Sequence, residues 1–236
     1  MARALLVLDL DGTLVDTCRD LVPALNAVTA LDGLPPVRMD DVGHIVGHGA
    51  RAMIARAYEL YGRALDEATH ERLFTEFLAR YGARIADESR PFPGAAAMLG
   101  RFAAAGWSLA VCTNKPERLS RLLLGALLPD HGFAAVSGGD TFAVRKPHPD
   151  HLLGTIRTAG GAAQAALFVG DSATDVDTAR AAGVPVAGVT FGYASVPMAA
   201  LAPDLLIDHF DQLTPAAATR LIAGASPGRF EGRRPA

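Results

Sequence analysis

The chain has 236 residues, of which 50% are hydrophobic and 20% charged, and its formal net charge is −3 from 22 basic and 25 acidic residues. Those values exclude a disordered chain, a collagen-like fibre and a coiled coil, and they fit one large domain or a domain carrying an insert. No broad basic surface is available to a polyanion, so nucleic acid is not an expected partner. Cys18 and Cys112 are the only cysteines, too few for a disulfide framework, which fits a reducing compartment.

The first apolar run, Ala4 to Leu8, meets Asp9 and Asp11 at once. It is too short for a secretory core or a membrane span, so a cytoplasmic chain with no membrane partner is expected. Continuous apolar runs of this kind mark strands buried on both faces, as in parallel sheets. Three more follow: Trp107 to Val111 runs into Thr113-Asn114, Ala165 to Val169 into Gly170-Asp171, and Val184 to Val189 into Thr190. Helical patterns lie between them at Ala95 to Ala105, Glu117 to Leu128, Pro149 to Ala159 and Thr174 to Ala182. The alternation predicts an α/β fold, a Rossmann-like doubly wound parallel sheet. Ligands gather at the carboxyl ends of such strands, where each polar cluster named here falls.

Residues 17–85 break the alternation. Leu21, Leu25, Val28, Ile54, Tyr58, Leu73, Phe77 and Tyr81 fall at helical spacing, which predicts an all-helical insert between core segments 1–16 and 86–224. The chain would cross between the two near Asp16 and near Arg90, forming a hinge. Inside the insert, Gly43-His44-Ile45-Val46-Gly47-His48-Gly49 could bring backbone close to a ligand. His44 and His48 equally suit a surface. Residues 225–236 are rich in Pro, Gly and Arg, the composition of a disordered tail.

Asp9 and Asp11 bracket one residue, so on an extended chain their side chains point the same way. Two such carboxylates repel unless a cation lies between them or one holds a proton. Gly12-Thr13 then allows a tight turn. The stretch Asp9-Leu10-Asp11-Gly12-Thr13-Leu14-Val15-Asp16 resembles the first signature of the haloacid dehalogenase (HAD) superfamily of phosphohydrolases. The resemblance implies that Asp9 attacks phosphorus and that Asp11 protonates the leaving oxygen and then activates water. A carboxylate is already ionised at neutral pH and needs no base to make it a nucleophile.

The remaining motifs follow in family order. Thr113, in Val111-Cys112-Thr113-Asn114-Lys115, resembles the second, whose hydroxyl bonds a phosphoryl oxygen; a helix N-cap is a compatible role. Asn114 could also reach the phosphate. Lys146, in Arg145-Lys146-Pro147-His148-Pro149, resembles the third, an ammonium that screens nucleophile from phosphate. It is one of only two lysines, Lys115 being the other. Gly170-Asp171-Ser172-Ala173-Thr174-Asp175 resembles the fourth, which binds Mg²⁺. The resemblance implies Asp9, Asp11 (through its backbone carbonyl) and Asp171 as metal ligands, with Asp175 behind them. No Cys or His cluster has zinc-ligand spacing.

The HAD resemblance reaches to about Leu221. It implies a sheet of order 5-4-1-2-3 and an inserted α-helical cap that closes over the site. The dehalogenases of this superfamily lack an acid two residues after the nucleophile, so Asp11 favours phosphoryl transfer. Phosphonatases use a cap lysine, and this insert has none. Ser137 to Phe142, Ala179 to Gly183, Val189 to Tyr193 and Pro203 to Asp208 resemble bacterial phosphoglycolate phosphatases. The expected activity is therefore Mg²⁺-dependent hydrolysis of a small phosphorylated metabolite by a monomer or homodimer, with 2-phosphoglycolate the leading substrate. N-acetylmuramic acid 6-phosphate, pyrophosphate, a nucleotide, mutase activity on a sugar phosphate and a silent binding protein on the same scaffold are the alternatives. Gly47, Gly49 and Arg51 occupy the place of the family's specificity loop. Arg51 is either a partner for a substrate carboxylate or a solvated helix residue.

Overall fold

The computed structural model of the chain describes residues 3–194 and 196–225. Most of the segment read as a tail, 226–236, lies outside the described residues. The first strand, β1 (Leu5–Leu8), is buried throughout. The chain then makes a short strand β2 (Val15–Asp16) and enters helices α1 (Cys18–Thr29), α2 (Met39–Val42), α3 (Ala50–Leu60) and α4 (Glu67–Ala83). It returns through β3 (Arg90–Pro91). Then come α5 (Ala95–Ala104), β4 (Ser108–Cys112), α6 (Glu117–Leu127), β5 (Ala135–Ser137), α7 (Pro149–Thr158) and β6 (Ala166–Gly170). The last elements are α8 (Ala173–Ala182), β7 (Val186–Val189), β8 (Leu205–Ile207) and α9 (Pro215–Gly224).

Six strands form one sheet in the order β5-β4-β1-β6-β7-β8, and every adjacent pair is parallel. Five of them reproduce the expected HAD order, and β8 adds an edge beside β7. β1 sits between β4 and β6, with Leu8 opposite both Val111 and Val169. Alternation explains why its run is apolar throughout. Leu6 and Leu8 face one core layer with Leu109, Val111, Leu167 and the α5 residues Met98, Leu99 and Phe102. Leu5 and Val7 face the other with Phe168, Leu152 and Ile156 of α7, and Val176 of α8.

The helical segment has its own apolar cluster. The eight residues noted for their helical spacing all belong to it, joined by Val42, Met53 and, from α6, Leu119. The two chain crossings pair with each other: β2 and β3 form an antiparallel ribbon with Val15 opposite Pro91 and Asp16 opposite Arg90. Asp20 fastens the return. Its carboxylate accepts from Glu88 N (3.0 Å), Ser89 N (2.8 Å) and Ser89 Oγ (2.6 Å). Three elements carry no run in the sequence. β5 and β8 are three-residue edge strands, and β2–β3 is two residues a side.

Candidate active site

The carboxyl ends of β1, β4 and β6 meet at one place. Asp9 extends β1, its N–H donating to Val169 O at 2.9 Å. Asp9 is 2% exposed. Gly12 then turns the chain with φ +81°, and a Cβ there would stand 2.5 Å from Asp171 Oδ2. Only glycine fits both the backbone angle and the gap. The turn carries Asp11 back towards β2.

Lys146 arrives from the loop before α7. Its Nζ donates to Asp175 Oδ1 at 2.7 Å and lies 2.8 Å from Asp9 Oδ1 in an ion pair. Asp9 Oδ1 is buried, and this ion pair is the contact that holds it. Asp171 follows β6. Thr13 Oγ1 donates to its Oδ1 at 3.1 Å, and Tyr193 N donates to its Oδ2 at 2.8 Å. Asp175, in the first turn of α8, caps that helix. Its Oδ2 accepts from Ser172 N (3.1 Å) and Ser172 Oγ (2.7 Å).

Carboxylate oxygens of Asp9, Asp171 and Asp175 all lie within 4.8 Å of one another, and all three residues are buried. Three ionised carboxylates against one ammonium would leave two uncompensated negative charges in a buried place. Burial, with the repulsion of Asp175, pushes the Asp9 carboxyl up to about 7 against the pull of Lys146. Burial and the charges of Asp175 and Asp9 push Asp171 up to about 8. Burial alone works against the charge on Lys146, but Asp175 and Asp9 outweigh it and hold the ammonium well above its ordinary range. A divalent cation is the counter-charge such a centre lacks, and all-oxygen donors suit a hard one.

Asp11 stands apart from that trio. Its Oδ1 accepts from Thr17 Oγ1 (2.7 Å) and Lys115 Nζ (2.8 Å), and its Oδ2 from Lys115 Nζ (2.9 Å). Its carboxylate is thus engaged by a cation of its own. Lys115 is 6% exposed, and its ammonium lies 4.6 Å from the centroid of the Tyr81 ring. Sequence reasoning gave Lys115 no role. The signal available was its scarcity: the chain's two lysines both stand at this centre.

Thr113 ends β4, one strand over from Asp9, and is buried, its hydroxyl accepting from Lys115 N at 3.3 Å. Asn114 ties the helical layer to the core: its Nδ2 donates to Gly47 O (3.0 Å) and Lys146 O (3.1 Å). Gly49, at φ +90°, brings the loop down so that a Cβ would lie 3.4 Å from Asn114 O. Arg51 joins none of this. Its guanidinium pairs with Glu71 at 2.5 Å and stacks 3.9 Å from the centroid of Phe74, both on α4. His48 Nε2 is 3.5 Å from Thr174 Oγ1. Tyr193 is a second residue that sequence reasoning passed over. Its hydroxyl accepts from Thr17 N (2.7 Å) and Cys18 N (3.2 Å) and donates to Asp16 Oδ1 (2.5 Å), linking Asp171 to the crossing at β2.

Between the helical layer and Asp11 lies a narrow pocket of about 20 Å³, room for about one water.

A family model described as haloacid dehalogenase-like hydrolase matches residues 6–189. A phosphoglycolate phosphatase of Agrobacterium fabrum is 51% identical over 219 residues, 93% of this chain and 94% of that one. One of Mesorhizobium japonicum is 49% identical over 95% of this chain and 99% of its own length. The crystal structure of a predicted phosphoglycolate phosphatase from Haemophilus somnus superposes with a TM-score of 0.82 at 33% identity, covering 88% of this chain and 95% of that one. A parallel sheet with an aspartate at the tip of its central strand, matched along that whole span, makes this chain a member of the haloacid dehalogenase-like hydrolase family.

Proposed function

We propose that the chain is a Mg²⁺-dependent phosphatase of small phosphomonoesters and that its substrate is 2-phosphoglycolate. The observation that supports this best is the centre itself: a buried nucleophile, Asp9, held 2.8 Å from an ammonium and sharing one cluster with Asp171. The names of the relatives, 51% and 49% identical, favour the substrate.

The chemistry divides among the residues. An oxygen of the Asp9 carboxylate attacks phosphorus in line, an aspartyl phosphate forms, and the ester P–O bond breaks. Asp11 enters the cycle carrying the proton left by the water of the preceding turnover and gives it to the departing oxygen, so glycolate leaves as the alcohol. Asp11, now a carboxylate, takes a proton from water. That water attacks the aspartyl phosphate, the P–O bond to Asp9 breaks, and inorganic phosphate leaves. Lys146 and Thr113 hold phosphoryl oxygens, with the ammonium offsetting charge as it builds. Asp9, the backbone carbonyl of Asp11 and Asp171 would hold Mg²⁺. Asp175, both of whose oxygens are already engaged, orients Lys146. When bound, the ion neutralises the phosphoryl dianion and lets a carboxylate approach it. Residues 17–85 act as a cap that shuts out water, with the β2–β3 ribbon as hinge and the loop of Gly47 and Gly49 as its inner face. A carboxyl nucleophile on a rigid strand supplies the positioning.

The test is phosphate release from 2-phosphoglycolate by the purified protein with Mg²⁺. EDTA and Asp9→Asn should each abolish it. Activity that survives Asp9→Asn, with deamidation excluded by mass spectrometry, overturns the covalent mechanism.

A further inference from the structure

We infer that Lys115 and Tyr81 form the specificity site of this enzyme and receive an anionic group, a carboxylate, carried by the leaving half of the substrate. The inference rests on the phosphatase reading above and deepens it.

The narrow pocket beside Asp11 is where a leaving group must lie, because Asp11 has to reach the departing oxygen. Of the residues lining it, only Asp11, Tyr81 and Lys115 bear polar side chains, and Lys115 is the one cation. The rest of the wall is apolar or glycine, with Val46, Met53, Phe77 and Leu119 its larger members. A neutral aliphatic group would suit most of that wall and leave the lysine unused. Asp11 already faces that ammonium, so a second anion in the pocket would share the one cation its wall offers.

Two further features point the same way. The Tyr81 hydroxyl is buried beside the Lys115 ammonium, which can only donate to it, and its own proton has no acceptor among the described residues. Burial also pushes its pKa up to about 12, so it remains a proton donor at neutral pH. A buried donor without an acceptor is an expensive thing to keep, and a carboxylate would satisfy it. Arg51, the cation that the sequence offered for this purpose, is committed to Glu71 and Phe74 on the helical layer's own surface.

Lys115 is engaged by Asp11 in this structure, at 2.8 and 2.9 Å. A substrate carboxylate entering the cavity competes for the same ammonium. Drawing Lys115 away from Asp11 frees the carboxyl that must handle the proton. An ester without the second anion leaves Lys115 on Asp11. Selection therefore acts on the chemical step and on binding.

The experiment compares 2-phosphoglycolate with ethyl phosphate, which has a methyl where the first has a carboxylate. The wild-type protein should prefer the first by at least about 100-fold in kcat/KM, the scale of a lost charged hydrogen-bond pair. Lys115→Met should cut that preference at least about 30-fold, with KM for 2-phosphoglycolate rising. Lys115→Arg should keep most of it, and Tyr81→Phe should lower it by about 3- to 10-fold. Glycolate should inhibit the wild type competitively and Lys115→Met far more weakly. If Lys115 serves only to hold Asp11, both esters slow alike in Lys115→Met and the preference stays within about 3-fold; that result overturns the inference. So does a wild-type enzyme that hydrolyses both esters equally, a measurement that needs no variant to fold. Hydrolysis of neither ester would instead overturn the phosphatase reading itself.

Discussion

Gly12 illustrates how narrow the tolerances are at this centre. Its backbone is left-handed at φ +81°, and the missing Cβ would fall 2.5 Å from Asp171 Oδ2 and 2.8 Å from the Tyr193 ring. Gly12→Ala is therefore expected to strain the turn and push Asp171 aside. The loss should be about 1–3 kcal/mol of stability, read from denaturant midpoints. Phosphate release should fall at least about 100-fold, since a displacement of about 1 Å at reacting groups costs that much. Wild-type turnover by Gly12→Ala would show that the turn relaxes without disturbing Asp171.

Tyr193 acts on the scale of elements. It couples the loop after β7 to the start of α1 and to the β2 crossing through one hydroxyl, while its N–H holds Asp171. Tyr193→Phe removes the acceptor of Thr17 N and Cys18 N but keeps the bond to Asp171. We expect about 1–3 kcal/mol of destabilisation and little change in Mg²⁺ affinity by titration. α3 and α4 give a second prediction. Because Arg51 joins these two helices, Arg51→Ala should lower the melting temperature and slow 2-phosphoglycolate and p-nitrophenyl phosphate alike. A KM that rises for 2-phosphoglycolate alone would return Arg51 to recognition.

The same elements show how much could be read from the chain. β1, β4, β6 and β7 were legible because both of their faces are buried and their runs are almost wholly apolar, with Ser108 the polar residue at the start of β4. β5 and β8 were not, since a three-residue edge strand needs no such run. Asp9 and Asp171 were legible because each follows a strand end, and a parallel sheet brings those ends together; Lys146, in the loop before α7, was legible from its motif and its scarcity. Lys115 and Tyr81 were not, because their meeting spans two layers packed from distant segments. A residue type could be read at position 51, but its direction could not: Arg51 turns along its own layer.

At the scale of the whole molecule, the balance of charge decides. The trio of acids would carry, fully ionised, two more negative charges than Lys146 offsets, so the folded state should bind Mg²⁺ far better than the unfolded chain does. At about 100 times the dissociation constant, such linkage adds roughly 2.7 kcal/mol. For a chain of this length that is a rise of roughly 5–10 °C in Tm, measurable by calorimetry with and without EDTA. Asp171→Asn should remove most of the shift, and an equal shift in that variant would place the ion elsewhere. The cavity of about 20 Å³ has a kinetic corollary. A chamber with space for about one water can admit neither ester nor acid as it stands, so each turnover needs the two layers to part and rejoin against the drag of the surrounding liquid. Added sucrose or glycerol should then lower kcat in proportion to microviscosity, setting the tempo of the enzyme by its swing and not by the making and breaking of bonds.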